Sequence, residues 1–117
     1  APRNSTEFAR VLLTSGLLMV VIPGEAHLAC LRSTLGLLNI EQQKQQHVVA
    51  QLSSQFALLE TNSLRYNLLL RADAIRQAVM MTPNYWHLST EIHKQLNTLE
   101  ELETEANFIC LLFRRLQ

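Results

Sequence analysis

TPNYWHLSTEIHKQLNTLEELETEANFICLLFRRLQ, from Thr82 to Gln117, is the stretch whose reading decides the fold. Thr82-Pro83 offers a capping residue followed by proline, which suits the first position of a helix. Apolar residues then recur at Tyr85, Leu88, Ile92, Leu96, Leu99, Leu102, Ala106, Ile109, Phe113 and Leu116. Every step is three or four residues, so the spacing predicts one helix with a continuous apolar stripe. No Gly or Pro interrupts it, and Arg114-Arg115 place cations where a helix C-terminus favours them.

The preceding segment carries a similar period at Val48, Leu52, Phe56, Leu59, Ser63, Tyr66, Leu70, Ala74 and Ala78. That predicts a second long helix, about Ile40 to Met81, with a possible break at Thr61-Asn62-Ser63, residues that favour caps over helix interiors. Folding back at Thr82-Pro83 gives an antiparallel hairpin. The expected register brings Arg65 near Glu100 and Glu101. It leaves the polar, Gln-rich stretch Glu41 to His47 beyond the end of its partner.

Two shorter helices precede the hairpin. Asn4 with Glu7 fits a capping box at the head of a helix from about Ser5 to Ile22. Its run Val11 to Ile22 is shorter than the ~20 residues that span a bilayer and is read as buried core. Pro23-Gly24 then breaks the chain. Leu28, Leu31, Leu35 and Leu38 stripe a second helix, about Glu25 to Leu38, followed by a capping pair in Asn39 and Gln42. The expected fold class is therefore all-α: a single-domain antiparallel bundle of three to four helices over residues 1–117, its two long C-terminal helices forming the hairpin.

Composition agrees with that reading and narrows the function. The chain has 117 residues, 48% of them hydrophobic, with three Gly and three Pro. Ten Lys plus Arg balance ten Asp plus Glu. Zero net charge supplies no field for nucleic acid or an anionic membrane, so neither is expected as a partner. Cys30 and Cys110 read as free thiols rather than a disulfide. An intracellular location follows from that, with an extracytoplasmic one as the alternative.

Site chemistry is sparse. None of His27, His47, His87 and His93 begins an H-E-x-x-H motif, and no Glu-x-x-His pair is present. His27 and Cys30 stand one helical turn apart, but a lone pair makes no metal site. No Gly-rich segment cradles a phosphate. No metal, cofactor or small-molecule ligand is expected, and no catalytic residue. The acidic run Glu100, Glu101, Glu103 and Glu105 reads as a solvated face.

Two surfaces remain as candidate partner-binding sites. Tyr85 and Trp86, beside His87, form an aromatic cluster of the kind that dominates binding hot spots. Phe108, Leu111, Leu112 and Phe113 belong to a segment where a helix would be apolar all round and need a second covering surface. The expected function is a non-enzymatic helical interaction module: an adaptor, an assembly subunit or a homodimer through its long helices, with another protein as partner. The alternatives are an extracytoplasmic four-helix ligand or sensor domain, supported by the Asn4-Ser5-Thr6 sequon, and a helix-binding chaperone or regulator.

Overall fold

The computed structural model describes residues 3–35, 43–81 and 88–117. Its elements run α1 (Ser5–Val11), β1 (Leu17–Pro23), α2 (Ala29–Leu35), α3 (Lys44–Leu52), β2 (Phe56–Arg71), α4 (Ala72–Met80), α5 (Thr90–Thr98) and β3 (Glu101–Arg115). The three strands form one sheet in the order β1-β3-β2. The fold is α+β, which corrects the all-α bundle. Each of the two long segments expected as a single helix is divided between short helices and one long strand, Phe56–Arg71 in the first and Glu101–Arg115 in the second.

The reason lies in which period wins. In β3, Glu101, Glu103 and Glu105 alternate with Leu102, Thr104 and Ala106. Thr104 and Ala106 are buried while Glu101 and Glu103 are exposed. That is the period-2 signature of a strand, concealed because the same apolar residues also fit steps of three and four. In β2 burial alternates only near the end, where Leu68 and Leu70 are half-buried between exposed Asn67, Leu69 and Arg71, and Thr61-Asn62-Ser63 lies inside the strand rather than breaking a helix. In β1 the run Val20-Val21-Ile22 is β-branched, stiff at χ1 and suited to a pleated surface. Leu-rich segments have good helix propensity, but propensity is a weak prior that tertiary pairing overrides.

Helical spacing was legible over shorter spans. Ile75 and Val79 are the buried residues of α4, and Leu96 is that of α5, with Ile92 and Leu99 packed beside it. Ser89 caps α5 by accepting a hydrogen bond from the Ile92 N–H at 3.2 Å. Asn4 caps α1, its side chain accepting from the Glu7 N–H at 3.2 Å, but α1 ends at Val11 rather than Ile22. Of the second expected helix, about Glu25 to Leu38, the structure shows Ala29–Leu35, and residues 36–38 lie outside the described residues. Part of the polar stretch before Val48 becomes the first turns of α3. The expected caps at Thr82-Pro83 and Asn39 lie outside the described residues. Among the described residues, no helix is long and apolar enough to cross a membrane.

β1 pairs antiparallel with β3, from Leu17 opposite Arg114 to Pro23 opposite Phe108. On the other side of β3, Arg65 meets Glu105, while the Leu116 N–H donates to the Gln55 carbonyl at 2.8 Å. Partner numbers therefore rise on β3 as they fall along β2, so β2 is also antiparallel to β3. The expected partner of Arg65 was Glu100 or Glu101. Because β3 opposes both neighbours, β1 and β2 run parallel to each other.

The chain divides into two compact units, 1–24 with 41–64 and 108–117, and 25–40 with 65–107. In the first, Ala9 of α1, Val48 and Leu52 of α3, Ile22 of β1, Phe56 of β2, and Leu111 and Phe113 of β3 form the core. Phe56 and Phe113 meet edge to face, with ring centroids 6.4 Å apart. In the second, Leu31 and Leu35 of α2 close on Ile75 and Val79 of α4 and Leu96 of α5, with Leu102 of β3 against them.

Gly16 makes the turn from α1 into β1. Its N–H donates to the Leu13 carbonyl at 2.8 Å, and its own carbonyl accepts from the Arg115 N–H at 2.8 Å. A Cβ at this position would stand 2.8 Å from the Leu13 carbonyl oxygen. Gly16→Ala should therefore destabilise the chain by about 1–3 kcal/mol. Phe113→Ala should cost about 3–5 kcal/mol, because its ring is enclosed. Leu13→Ala, at a side chain 85% exposed, should stay within about 0.5 kcal/mol. Urea unfolding of the three variants checks this order.

Candidate functional site

The polar chemistry of the second unit concentrates where the chain leaves β1, in the segment Glu25 to Leu28. Leu28 has a positive φ of 52°. A branched side chain adopts that conformation only when its surroundings impose it. The hydrogen bonds supply the constraint. The Leu28 N–H donates to the Glu105 carbonyl at 2.7 Å. The Ala26 N–H donates to the Asn107 side-chain oxygen at 3.3 Å. The Asn107 N–H donates to Nδ1 of His27 at 3.1 Å. From α2, Arg32 reaches back with Nε to the His27 carbonyl at 2.9 Å and with Nη2 to the Glu25 carbonyl at 2.6 Å.

Three consequences follow. Asn107 is a buried polar residue in a central strand, and its backbone and side chain both serve the loop. Burial of such a group is tolerated because its hydrogen bonds are made. Accepting at Nδ1 fixes the neutral imidazole with its proton on Nε2. The two Arg32 bonds tie down carbonyls at the loop's start and middle, so the segment is held from β3 and from α2 together.

Burial, and then the neighbouring Arg32 charge, hold the His27 pKa below its ordinary 6.5. At the next position but one along β3 from Asn107, Glu105 accepts from the Arg65 guanidinium, with Nη2 at 3.1 Å. That hydrogen bond lowers the Glu105 carboxyl pKa and raises that of Arg65. The Thr104 hydroxyl is buried and has no hydrogen-bond partner among the described residues.

The expected site residues distribute differently from the aromatic and apolar clusters read in the sequence. Leu111 and Phe113 are fully buried in the first core, 0% and 1% exposed. Phe108 and Leu112, of opposite strand parity, are half-buried on the other face of β3. Tyr85 and Trp86 lie outside the described residues. Cys30 and Cys110 are free thiols, exposed and half-buried. Among the described residues no three His, Cys, Asp or Glu side chains gather as a metal site would require. The loop built on His27 and Asn107 was missed. Its signal was Asn107 itself, one amide set between Ala106 and the apolar run Phe108 to Phe113.

Comparison with known proteins points to RNA-modifying enzymes. The chain is 40% identical over 87 residues to the 23S rRNA (guanine(748)-N(1))-methyltransferase of Streptomyces fradiae, a match covering 74% of this chain and 31% of that protein. It is 38% identical over 87 residues to a putative 23S rRNA (guanine-N(1)-)-methyltransferase of Micromonospora griseorubida, covering 74% of this chain and 30% of that protein. The chain thus spans about a third of the length of the curated relatives it matches. No protein-family profile matches it.

These relatives overturn the expected non-enzymatic interaction module, the adaptor role and the exclusion of nucleic acid. Both are named as enzymes, and both are named for a ribosomal RNA. The expectation failed for two physical reasons. Net charge summed over a segment about a third as long as the relatives does not measure the field of a protein of that size. A catalytic motif absent from such a segment is no statement about the remainder. The four-helix ligand or sensor alternative, read from the Asn4-Ser5-Thr6 sequon, and the helix-groove chaperone are contradicted by the same two relatives.

His27 gives a pH test of the loop. Its folded pKa lies below its unfolded value, so the unfolded chain binds more protons between the two. The stabilisation is full above about pH 6.5 and is lost as pH falls through the lowered folded pKa. The melting temperature should therefore fall on acidifying from pH 7 to pH 5, and His27→Asn should show a smaller fall. An NMR titration of the His27 ring should place its midpoint below 6.5.

Proposed function

We propose that this chain is part of an RNA-modifying enzyme that methylates N1 of a guanine in 23S ribosomal RNA. The observation that carries the reading is 40% identity over 87 residues to a protein named for that reaction. In the transfer, a methyl carbon leaves its donor and bonds to guanine N1. The broken bond's electron pair stays with the donor, and the N1 proton departs to a base. N1 sits on the Watson–Crick edge, so the guanine must be unpaired and splayed from its neighbours to react. Ribosomal RNA as substrate also supports an intracellular location.

The geometry fits one part of that task. Glu25 to Leu28 follows the carboxyl end of β1, and Asn107 and Arg32 hold it in one conformation. A loop of that kind suits placement of a substrate, since a catalytic or binding group is effective only when its support is rigid. Tyr85 and Trp86 keep their role as a contact surface, now as aromatic rings able to stack on an unpaired base.

The test uses the polypeptide as its gene encodes it, expressed in a bacterium whose 23S rRNA lacks the mark. N1-methylguanine blocks Watson–Crick pairing, so reverse transcriptase should stop one nucleotide before the modified base. A soluble, folded protein that produces no new stop in 23S rRNA overturns the proposal. Trp86→Ala should weaken the stop by about five- to hundredfold, the worth of one stacked base at ~1–3 kcal/mol, with the circular dichroism spectrum unchanged.

A further inference from the structure

His27 is half-buried, on a loop, and held on three sides. Its carbonyl accepts from Arg32 Nε at 2.9 Å, and its Nδ1 accepts from the Asn107 N–H at 3.1 Å. The N–H of the next residue, Leu28, donates to the Glu105 carbonyl at 2.7 Å. Leu28 takes a φ of 52° to complete that set. Backbone strain persists only where its surroundings over-determine it, and it gathers at ligand sites. The loop is a support for one imidazole in one orientation.

An imidazole can serve as a cation, a base, a metal ligand or a neutral donor, and the surroundings of His27 leave the last. Burial, and then the Arg32 charge, lower its pKa, which disfavours the cation. The nitrogen of the neutral ring that could take a proton is Nδ1, and it already accepts from Asn107. Among the described residues no three metal-binding side chains gather around it. With Nδ1 accepting, the ring proton sits on Nε2, where it can only donate.

We propose that His27 donates the Nε2–H hydrogen bond to the C6 carbonyl oxygen of the guanine that is methylated, with Asn107 and Arg32 as its positioning residues. The proposal rests on reading the chain as part of a guanine-N1 methyltransferase. When the N1 proton leaves to a base other than His27, the N–H electron pair stays on the guanine and spreads onto O6. A donor fixed at O6 therefore gains strength as the transition state forms. The same donor separates the purines. Adenine carries an amino group at C6, which sets donor against donor. A ring free to switch tautomer would lose that discrimination, and the Asn107 N–H prevents the switch.

Two substitutions divide the ring's roles. Asparagine places an amide oxygen near Nδ1, so His27→Asn keeps the Asn107 bond and removes the donor. Glutamine places an amide N–H near Nε2, so His27→Gln keeps the donor. The encoded polypeptide and its variants are expressed in a bacterium whose 23S rRNA lacks the mark. The rate at which the reverse-transcription stop appears after induction should fall about 100-fold for His27→Asn and less than about tenfold for His27→Gln. Circular dichroism should match the wild type for both. His27→Asn at the wild-type rate, or His27→Gln no faster than His27→Asn, overturns the inference. Nitrogen NMR of the wild-type ring needs neither variant to fold. It should find the proton on Nε2, and a proton on Nδ1 also overturns the inference. A folded wild-type protein that produces no stop sinks the proposed function and this inference with it. A wild-type stop that His27→Asn leaves at full rate removes this inference alone.

Discussion

β3 has hydrogen-bonded neighbours on both sides, and the rest of the fold depends on that. A central strand satisfies its backbone N–H and C=O groups twice over and frees both of its faces for packing. Leu111 and Phe113 go to one core and Leu102 to the other. Each of those cores closes only because helices from distant parts of the sequence arrive on the strand. α1 and α3 meet Phe113 and Leu111, while Leu102 packs, partly buried, against the core of α2, α4 and α5. Removing β3 would leave β1 and β2 without a common partner.

The same strand organises the polar chemistry. Asn107 interrupts its apolar run; its side-chain oxygen accepts from the Ala26 N–H and its backbone N–H donates to Nδ1 of His27. A buried residue bonded in this way through backbone and side chain holds a loop in one conformation where apolar contact would let it slide. The positive φ of Leu28 is the visible cost of that restraint. Arg32 adds a second anchor, and burial, followed by the Arg32 charge, lowers the His27 pKa. A fixed loop at the end of β1 is the part of this chain best suited to serve a substrate.

Some of this was legible in the residues. The cap at Asn4, the breaker at Pro23-Gly24, and the 3.6-residue spacing around Ile75–Val79 and Ile92–Leu96 all carry local causes that a sequence states directly, whereas the cap of α5 is Ser89 and not the expected Thr82. The strands were hidden by arithmetic. Ala106, Ile109, Phe113 and Leu116 fit a helix, yet Glu101, Glu103 and Glu105 fit a strand, and both patterns stand in the same residues. The Arg65 cation did find an acidic partner on the last element, at Glu105. Charge complementarity between the two segments was readable even though their conformation was not. The loop site was illegible because its bonds join residues about eighty apart, and nothing local announces such a pairing.

By itself, then, the sequence determined where the first helix starts, the helical spacing of short stretches and that the two long segments carry complementary charge. These are properties of spacing, side-chain chemistry and capping within a few residues. Only the tertiary structure decided between helix and strand in Phe56–Arg71 and Glu101–Arg115, because a strand is stable only once a partner supplies its hydrogen bonds. It also decided which of the apolar residues from Phe108 to Phe113 face a core. A period of two sends Ile109, Leu111 and Phe113 to one side and Phe108, Cys110 and Leu112 to the other, and the helices of the first unit enclose the former set.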